Sequence, residues 1–458
     1  MDIPSESDRA LRDEIVERAR TAGLRLVRFL YCDNDGLIRG KATGMSSLAR
    51  RLETGIGLTV AMQAFSLLDQ LAPVEGMGPV GEIRLVPDLK TFVVAPYSVV
   101  TGVVLVDMTT LEGAPYPADG RGFLRRMVRR ARDADIEIVA AFEPEWFLAR
   151  SEAGSYVPLD ESNCFSTSGM ATAAGVIDEL VAALEAQGMA VEQYYPELGW
   201  GQQELSIGRA PALRAADNHL LYRETVRDVV ARHGLVASFA PKPWPDQAGN
   251  GCHLHWSGWN RDLTVNRFHE AGGPYGLSET ARQFIAGVLD HLPALVALTC
   301  ASVNSYRRLQ PQTWASAYRT WGFDNREAAL RVPSPLRGLE AESTNVELKA
   351  SDSSANPYLA LGGVIAAGLD GIERGLDLPR PVAVDPASLS EKEREELGAV
   401  RLPASLGEAI DNLERDAVLL DALGERLAAS YLAVKRSDIA AFAAHDEAFE
   451  FAQHFSKF

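Results

Sequence analysis

One short stretch, Ala141-Phe142-Glu143-Pro144-Glu145-Trp146-Phe147-Leu148, places the strongest constraint on the fold, because it holds two carboxylates inside an apolar run. In an extended strand, residues two positions apart point to the same face, so Glu143 and Glu145 are expected side by side. Phe142 and Trp146 then face the opposite layer. Two anions at that separation repel each other, and a bound cation relieves the repulsion. The alternative is an ordinary edge strand with a solvated acidic face and an edge proline.

Acidic or imidazole side chains in predicted strands also occur at three further places in the chain. Glu197 and Glu204 lie on the two arms of a predicted hairpin, where side chains on one face come within about 5 Å of each other. After the turn signal Gly-Asn-Gly, His253 and His255 alternate with apolar residues. Glu347 lies between Val and Leu in another short predicted strand. Taken singly, each is better explained as a solvated strand face or a hydrogen-bonded core histidine, but four occurrences together favour a shared site.

The residue types in this set indicate hard divalent cations. Carboxylates outnumber imidazoles, and the four cysteines are widely spaced without a CxxC pair, so Mg²⁺ or Mn²⁺ is favoured over zinc. Several cations with arginines nearby suit phosphoryl chemistry. A close succession of arginines supplies them: Arg307, Arg308, Arg319, Arg326, Arg331 and Arg337.

Composition excludes several other classes of function. The 458 residues carry 45 basic and 62 acidic side chains, a net charge of −17, which argues against a nucleic-acid partner and against an anionic membrane. The N-terminus has no apolar signal region, and no long uncharged apolar run is present. Scarce cysteines suit a reducing compartment. These observations predict a soluble cytoplasmic protein, and the length allows one large domain and one smaller one. Helix and strand patterns in the N-terminal part predict a small unit of the α+β class.

In order along the chain, these motifs resemble the glutamine synthetase family, and the resemblance covers nearly the whole sequence. The residues that carry it are Glu143-Pro144-Glu145, Glu197 with Gln202-Gln203-Glu204, Lys242-Pro243, Gly249-Asn250-Gly251-Cys252-His253-Leu254-His255, Arg308-Leu309-Gln310-Pro311, Asn325-Arg326, Leu330-Arg331-Val332-Pro333, Glu347, Asp352 and Ala355-Asn356-Pro357-Tyr358. The resemblance implies a small N-terminal β-grasp-like domain over residues 1–102. A large catalytic α/β domain of the glutamine synthetase type is expected over residues 103–458.

The resemblance also implies a role for each site residue. Two or more Mg²⁺ or Mn²⁺ ions are expected, one held by Glu145, Glu197 and Glu204 and a second by Glu143, His253 and Glu347. ATP, the co-substrate, is expected along Glu192, His255, Ser257 and Arg331. Gly249 and Arg308 are expected to bind glutamate, and Arg326 to act catalytically on the transferring phosphate. Family members form dodecamers of two hexameric rings with active sites between subunits.

Three departures from the family pattern bear on the amine substrate. The flap position that holds a glutamate in ammonia-using members is Trp314, and the stretch 59–63, where those members carry an aspartate, has no carboxylate. A further ammonium-site aspartate aligns near Glu82, a conservative change. Ammonium must be bound as a cation and deprotonated before it attacks. An indole suits the carbon chain of a larger amine, so the resemblance is to the γ-glutamylpolyamine or γ-glutamylmonoamine synthetase branch.

Other departures concern the acid substrate and regulation. Lys349 stands where the family usually has an arginine that grips the acyl substrate, and lysine lacks the bidentate fork. Ala248 replaces an asparagine of the substrate loop. The region 382–402 has no tyrosine, which predicts that adenylylation control is absent.

Alternative interpretations remain open at this point. Trp314 could pack the flap while another base acts elsewhere. The protein could be an ammonia-dependent glutamine synthetase, or a non-catalytic structural or nitrogen-sensing relative.

Overall fold

The computed structural model describes residues 6–152 and 154–458. The N-terminal part contains α1 (Glu6–Thr21), β1 (Leu26–Cys32), β2 (Ile38–Gly44), α2 (Met45–Thr54), β3 (Ile56–Thr59), β4 (Glu82–Pro87), β5 (Val93–Val94) and β6 (Thr101–Thr109). Its sheet has the order β2-β1-β6-β4-β3, with β5 also paired to β6. Strand β3 is short, since a 3₁₀ turn, Val60–Ala64, follows it.

The predicted β1–β2 hairpin is present and its turn contacts the rest of the chain. The register pairs Cys32 with Ile38 across the turn. Gly36 has φ 72°, and a Cβ added there would lie 2.3 Å from the Ser354 backbone oxygen. Asn356 donates through Nδ2 to the Asp33 backbone oxygen at 2.9 Å. Gly36 is therefore required at the contact between the hairpin turn and the backbone at Ser354.

The central strand of the first sheet is β6, which runs parallel to β1 and antiparallel to β4. The sequence placed this strand at the start of the second domain, whereas it completes the first sheet. It lies across the domain boundary expected between residues 102 and 103, and that boundary stays a prediction.

The larger part of the chain alternates helices with strands around a second sheet. Its elements are α3 (Gly120–Asp133), β7 (Glu137–Glu152), β8 (Ser155–Pro158), α4 (Thr167–Glu185), β9 (Val191–Pro196), β10 (Gln202–Ile207), β11 (Ala210–Pro211), α5 (Ala212–Arg232), β12 (Val236–Ser238), β13 (Cys252–Trp259), α6 (Glu279–Thr299), α7 (Ser305–Arg308), β14 (Tyr318–Arg319), β15 (Trp321–Phe323), β16 (Leu330–Val332), α8 (Glu340–Ser343), β17 (Val346–Leu348), α9 (Pro357–Glu373), α10 (Glu391–Glu396), β18 (Val400–Arg401), α11 (Leu406–Leu413), α12 (Ala417–Leu423), α13 (Glu425–Ala443) and α14 (Glu447–Lys457). The main path of the sheet is β15-β16-β17-β13-β7-β10-β9, and β8, β11 and β12 also pair with β7. The predicted α+β class, with a small domain followed by a large one, is confirmed.

Helices cover the apolar side of this sheet and pack closely on each other. In the contact of α6 with α9, a Cβ on Gly287 would lie 2.2 Å from the Ala367 backbone oxygen, so the small residue permits the close approach. Asn356 caps α9, accepting backbone N–H groups of Tyr358 and Leu359. No helix within the described residues is both long and apolar enough to cross a membrane.

Buried ion pairs join the two parts of the chain. Arg121 on α3 donates to Asp217 on α5 through Nε at 2.9 Å and Nη2 at 2.8 Å. The same guanidinium reaches Asp107 of β6 at 2.6 Å and Asp88 at 2.8 Å. Lys435 on α13 pairs with Asp35 in the β1–β2 turn. Ion pairs thereby connect the first sheet to the helices of the larger part.

Candidate active site

Five adjacent strands bring the predicted acidic and imidazole residues to one face of the second sheet. The register sets Glu347 of β17 opposite His255 of β13, and His253 opposite Glu143 of β7. Glu145 pairs with Glu204 of β10, and Glu197 follows the end of β9.

The alternation predicted from the sequence orients these side chains. Phe142, Trp146, Leu254 and Trp256, which alternate with them along β7 and β13, are all buried. Because their burial holds each strand face in place, the polar side chains converge on the other face.

Both imidazoles lie against the carboxylates of Glu143 and Glu347. His253 Nδ1 is 3.3 Å from Glu347 Oε1 and 3.6 Å from Glu143 Oε2. His255 Nε2 is 3.3 Å from Glu143 Oε2 and 3.8 Å from Glu347 Oε1. One ligand atom each from Glu143, His255 and Glu347 lie within 4.8 Å of one another, a spacing suited to a metal ion. The sequence assigned His253 to the metal and His255 to the nucleotide, and the structure brings both to this group.

The electrostatics of the two imidazoles differ because their neighbours differ. Burial lowers the pKa of His253 to about 4, and the positive charge of Lys349 acts in the same direction. Burial also opposes the charged form of His255, but its hydrogen bond to Glu143 and the charge of Glu347 raise its pKa to about 9. The lowered pKa of His253 favours its neutral form, which is the form of histidine that binds metal ions.

A second group of carboxylates carries excess negative charge. Burial, followed by the charges of Glu143 and Glu145, raises the pKa of Glu204 to about 10. Burial and the charge of Glu145 raise the pKa of Glu197 to about 7. Tyr195 donates its hydroxyl to Glu204. Glu204 is buried, and Glu145 and Glu197 are half-buried. Carboxylates that raise one another's pKa at this spacing would be stabilised by a divalent cation, so Glu145, Glu197 and Glu204 fit a metal ion.

Backbone and amide groups fix the position of Glu145. The Gly251 N–H donates to Glu145 Oε2 at 2.8 Å, and Gln202 Nε2 does so at 3.2 Å. Gln202 also donates to the Gly249 carbonyl at 3.0 Å. The loop before β13 is thus tied to the carboxylate that it faces.

Two cationic side chains flank Glu347. Lys349 Nζ lies 3.3 Å from His253 Nε2 and 3.6 Å from Glu347 Oε1. Arg331 Nε is 3.0 Å from Glu347 Oε2. Burial opposes ionisation of Glu347, but Lys349 and the neighbouring imidazoles lower its pKa to about 2. Lys349, predicted as a substrate residue, and Arg331, predicted as a nucleotide residue, both contact the acidic group.

Arg308 is buried beside this group, and one of its N–H groups has no hydrogen-bond partner among the described residues. Its Nη2 donates to the Lys349 carbonyl at 3.2 Å, whereas Nη1 is buried and has no partner among the described residues. A Cβ on Gly249 would lie 2.6 Å from Arg308 Cγ, and one on Gly251 would lie 2.8 Å from Nη2. The glycines therefore admit a guanidinium whose free N–H fits a carboxylate ligand.

Three other predicted residues do not contact this group in the described part of the chain. Arg326 and Glu192 are exposed. Ser257 is buried, and its hydroxyl accepts from Trp259 Nε1 at 2.8 Å. Their catalytic and nucleotide-binding roles stay predictions.

The flap lies in the segment that follows Arg308. Trp314 is 58% exposed, has φ 58°, and donates its backbone N–H to Glu327 Oε1 at 2.8 Å. Sequence reasoning did not identify Glu327, although its place directly after Asn325-Arg326 is a signal that could have found it. It also missed Tyr195, and it named Gln202 without assigning it a role. Both contact predicted ligands.

Family models match both parts of the chain. The model described as "Glutamine synthetase N-terminal domain" matches residues 10–116, and the model described as "Glutamine synthetase, catalytic domain" matches residues 117–454.

Individual relatives match over most of their length. The chain is 39% identical over 419 residues to the gamma-glutamylpolyamine synthetase GlnA3 of Streptomyces coelicolor, covering 90% of this chain and 89% of that protein. It is 33% identical over 439 residues to a glutamine synthetase of Methanococcus maripaludis, covering 93% and 95%. A solved structure titled "Crystal structure of novel glutamine synthase homolog" superposes with a TM-score of 0.85 at 33% identity, over 95% of this chain and 99% of that one. A GmaS/ADP complex gives a TM-score of 0.84 at 30% identity, over 95% and 98%.

Proposed function

Because the chain belongs to the glutamine synthetase family of ATP-dependent ligases, we propose that it joins the γ-carboxylate of glutamate to an amine larger than ammonia. The amine in this proposal is a polyamine or a monoamine. The observation that carries it is the flap, where position 314 holds an exposed, apolar indole in place of a carboxylate. The relative at 39% identity, named a gamma-glutamylpolyamine synthetase, supports the same choice.

Activation of the acid is the first chemical task. A carboxylate is a poor electrophile, so transfer of the γ-phosphoryl group of ATP must convert it to an acyl phosphate. In the proposal, Arg308 binds the glutamate, which its unpartnered N–H and the space left by Gly249 support. Lys349 and Trp314 complete the substrate residues, and Arg326 faces the transferring phosphate.

The donor set of the site fits the hard divalent cations on which this family depends. Glu145, Glu197 and Glu204 would hold one ion, and Glu143, His253 and Glu347 a second. When bound, Mg²⁺ or Mn²⁺ supplies positive charge against the phosphate oxygens. The nucleotide would lie along Glu192, His255, Ser257 and Arg331, of which His255 and Arg331 already face the acidic group.

The amine then displaces phosphate from the activated acid. Water must be kept away during this step, since it would hydrolyse the acyl phosphate. Burial of Glu347, Arg308 and Lys349 makes the floor of the site suitable for this. The indole of Trp314 lies at the entrance, where the carbon chain of the amine would pack.

An ammonia-dependent glutamine synthetase is the second candidate. It is favoured by the relatives of about one-third identity that are named glutamine synthetase. The non-catalytic alternative is disfavoured by the converging set of ligands, since a protein without catalysis has no need of buried, mutually repelling carboxylates.

An amine panel distinguishes the two candidates. Phosphate release from ATP and glutamate is measured with ammonium, ethanolamine, putrescine, spermidine, aromatic amines and amino acids. We expect an alkylamine or a polyamine to give the highest kcat/KM. A higher kcat/KM with ammonium than with every other amine would contradict the proposal and support the second candidate.

A pair of flap variants sharpens the panel. Trp314→Ala removes the apolar surface and is expected to raise KM for the preferred amine, while KM for ATP and glutamate stays constant. Trp314→Phe keeps an aromatic ring and serves as the matched control. Equal loss in both variants, or a loss shared by all substrates, would contradict the role of the indole.

The proposal includes an assembly and a compartment. A dodecamer of two hexameric rings is expected, because the family builds its sites between subunits, and mass photometry would measure it. A cytoplasmic location fits the use of ATP and glutamate.

A further inference from the structure

We propose that Glu327 is the carboxylate that receives the ammonium group of the incoming amine and takes up one of its protons. The inference rests on the proposed function, because it names the residue that serves the amine at the same site. It also answers a chemical question that the flap raises. The attacking nitrogen needs a free lone pair, yet position 314 holds an indole and the stretch 59–63 holds no carboxylate.

Glu327 lies directly against the flap. Its Oε1 accepts the backbone N–H of Trp314 at 2.8 Å, and Asn325 Oδ1 accepts the Glu327 N–H at 3.0 Å. Oε2 has no hydrogen-bond partner in the described part of the chain. One oxygen is therefore fixed by the flap backbone while the other can accept a hydrogen bond from a substrate.

The charges around Glu327 favour the binding of a cationic ligand at its carboxylate. In residues 6–152 and 154–458 no lysine, arginine or histidine nitrogen lies at ion-pair distance from its carboxylate. Two charged groups act on it from further away, the anion Asp385 and the cation Lys349. Lys349 itself lies 3.3 Å from His253, so one lysine acts electrostatically on Glu327 and also contacts the acidic group.

Partial burial supports the role of a base. Burial raises the pKa of Glu327, and Asp385 acts in the same direction, whereas the Trp314 N–H and Lys349 oppose it. A carboxylate with a raised pKa accepts a proton more readily than an exposed glutamate. The neighbouring indole offers a face for the carbon chain or the cation of the same amine.

The proton balance of the step is complete. Glu327 takes one proton from the ammonium group, which leaves a neutral amine with a lone pair. The nitrogen attacks the acyl carbon, the C–N bond forms, and the bond from that carbon to the phosphate oxygen breaks. The leaving phosphate takes a second proton from the nitrogen, and Glu327 releases its proton to solvent. The products are the amide and hydrogen phosphate.

The competing explanation is that Glu327 only holds the flap. Two nucleophiles separate the two roles. An alkylamine is protonated at neutral pH and needs a base, whereas hydroxylamine is uncharged there and needs none. Glu327→Gln keeps an oxygen acceptor for the Trp314 N–H and removes the negative charge.

We expect Glu327→Gln to lower kcat/KM for the preferred amine by about 100-fold or more, the usual scale of a lost general base. Hydroxamate formation from hydroxylamine should stay within about threefold of the unmodified protein, and Glu327→Asp should restore part of the amine activity. Asp324→Asn is the matched control, because this exposed carboxylate also holds a backbone N–H, that of Ser334 at 2.8 Å. It should leave both reactions unchanged.

Two results would overturn the inference. Full amine activity in Glu327→Gln would show that the charge is dispensable, and an equal fall with both nucleophiles would show that the residue acts only through the flap. If the unmodified protein prefers ammonium in the amine panel, the larger-amine proposal fails alone. The Glu327 variants are then compared with ammonium and hydroxylamine, so the two failures are distinguishable.

Discussion

Two regions of this protein contain many buried charged groups, and carboxylates in the two regions have pKa values shifted in opposite directions. At the junction of the two parts of the chain, Arg121 lies among Asp88, Asp107 and Asp217 at 2.6–2.9 Å. Burial opposes ionisation of Asp88, but Arg121 and Arg125 lower its pKa. In the active site, burial and neighbouring anions instead raise the pKa of Glu204 to about 10.

The difference lies in where the balancing cation comes from. At the junction, each of the three carboxylates accepts a hydrogen bond from a guanidinium group of Arg121 or Arg125, so its ion-pair partner belongs to the fold itself. The carboxylate group around Glu204 contains more anions than cations, and its balance must come from outside the chain. A buried charge cluster is thus structural when its partners are internal, and it indicates binding when they are not.

Removing one active-site carboxylate tests this contrast with the largest expected effect. Glu204→Gln keeps an acceptor for Tyr195 but loses a metal ligand, so kcat should fall by at least about 100-fold, the upper range for loss of groups that only support ligands. The free energy of unfolding without metal should not fall, because the raised pKa of Glu204 keeps its carboxyl uncharged at neutral pH, and Gln is also uncharged. Steady-state kinetics and denaturant unfolding measure the two quantities. Lost stability with retained activity would reverse the assignment.

Removing an ion pair at the junction should instead lower the free energy of unfolding. Arg121→Met leaves the buried Asp217 without an ion-pair partner, whereas Asp88 and Asp107 keep Arg125. Removal of one partner of a buried ion pair costs about 3–5 kcal/mol of unfolding free energy. Arg125→Met is the control, since its side chain is 36% exposed and exposed pairs contribute about 0–1 kcal/mol. Chemical denaturation without ligands gives both values. Equal losses in the two variants would show that burial does not distinguish them.

A divalent metal ion should raise the free energy of unfolding by binding at the active site and not at the junction. With Mg²⁺ or Mn²⁺ at 100 times its dissociation constant, unfolding free energy should rise by about 2.7 kcal/mol. Glu204→Gln should show a smaller rise and Arg121→Met the full rise. Thermal melts over a metal titration measure this. A uniform response in all three proteins would mean that the metal binds elsewhere.

The smallest expected effect concerns His291, which has a carboxylate at each of its two ring nitrogens. His291 Nδ1 lies 2.6 Å from Asp416 Oδ2, and Nε2 lies 3.0 Å from Asp370 Oδ2. Burial opposes the charged ring, but these carboxylates raise its pKa. The stabilisation is therefore complete below the unfolded value of about 6.5 and is lost as pH rises through the higher folded value.

The stability difference between the unmodified protein and His291→Gln should accordingly shrink as pH increases. Unfolding curves at a series of pH values measure it, and Arg374, which also pairs with Asp370, stays charged throughout. A difference that grows with pH would mean that the ring is neutral in the folded protein.

Several site residues can be predicted from the amino-acid sequence alone, because strand periodicity decides which face a side chain occupies. The alternation around Glu143, Glu145, His253 and Glu347 is sufficient to predict a polar face opposite buried Phe142 and Trp146. The hairpin at residues 26–44 is equally local, since turn residues and register are set within a few positions.

Other features depend on segments far apart in the chain. Arg121 and Asp217 are 96 residues apart, and nothing in either local pattern indicates their contact. The same holds for Lys349 against His253 and for the place of β6 in the first sheet.

By itself, the sequence determined the family and the alternating strands, and it predicted which acidic residues bind metal, because these depend on residue type and local periodicity. Only the tertiary structure decided that Glu327 meets Trp314 and that Arg308 keeps a free donor. Such contacts arise when elements distant in the chain pack together, and their distances follow from the packing of the whole core.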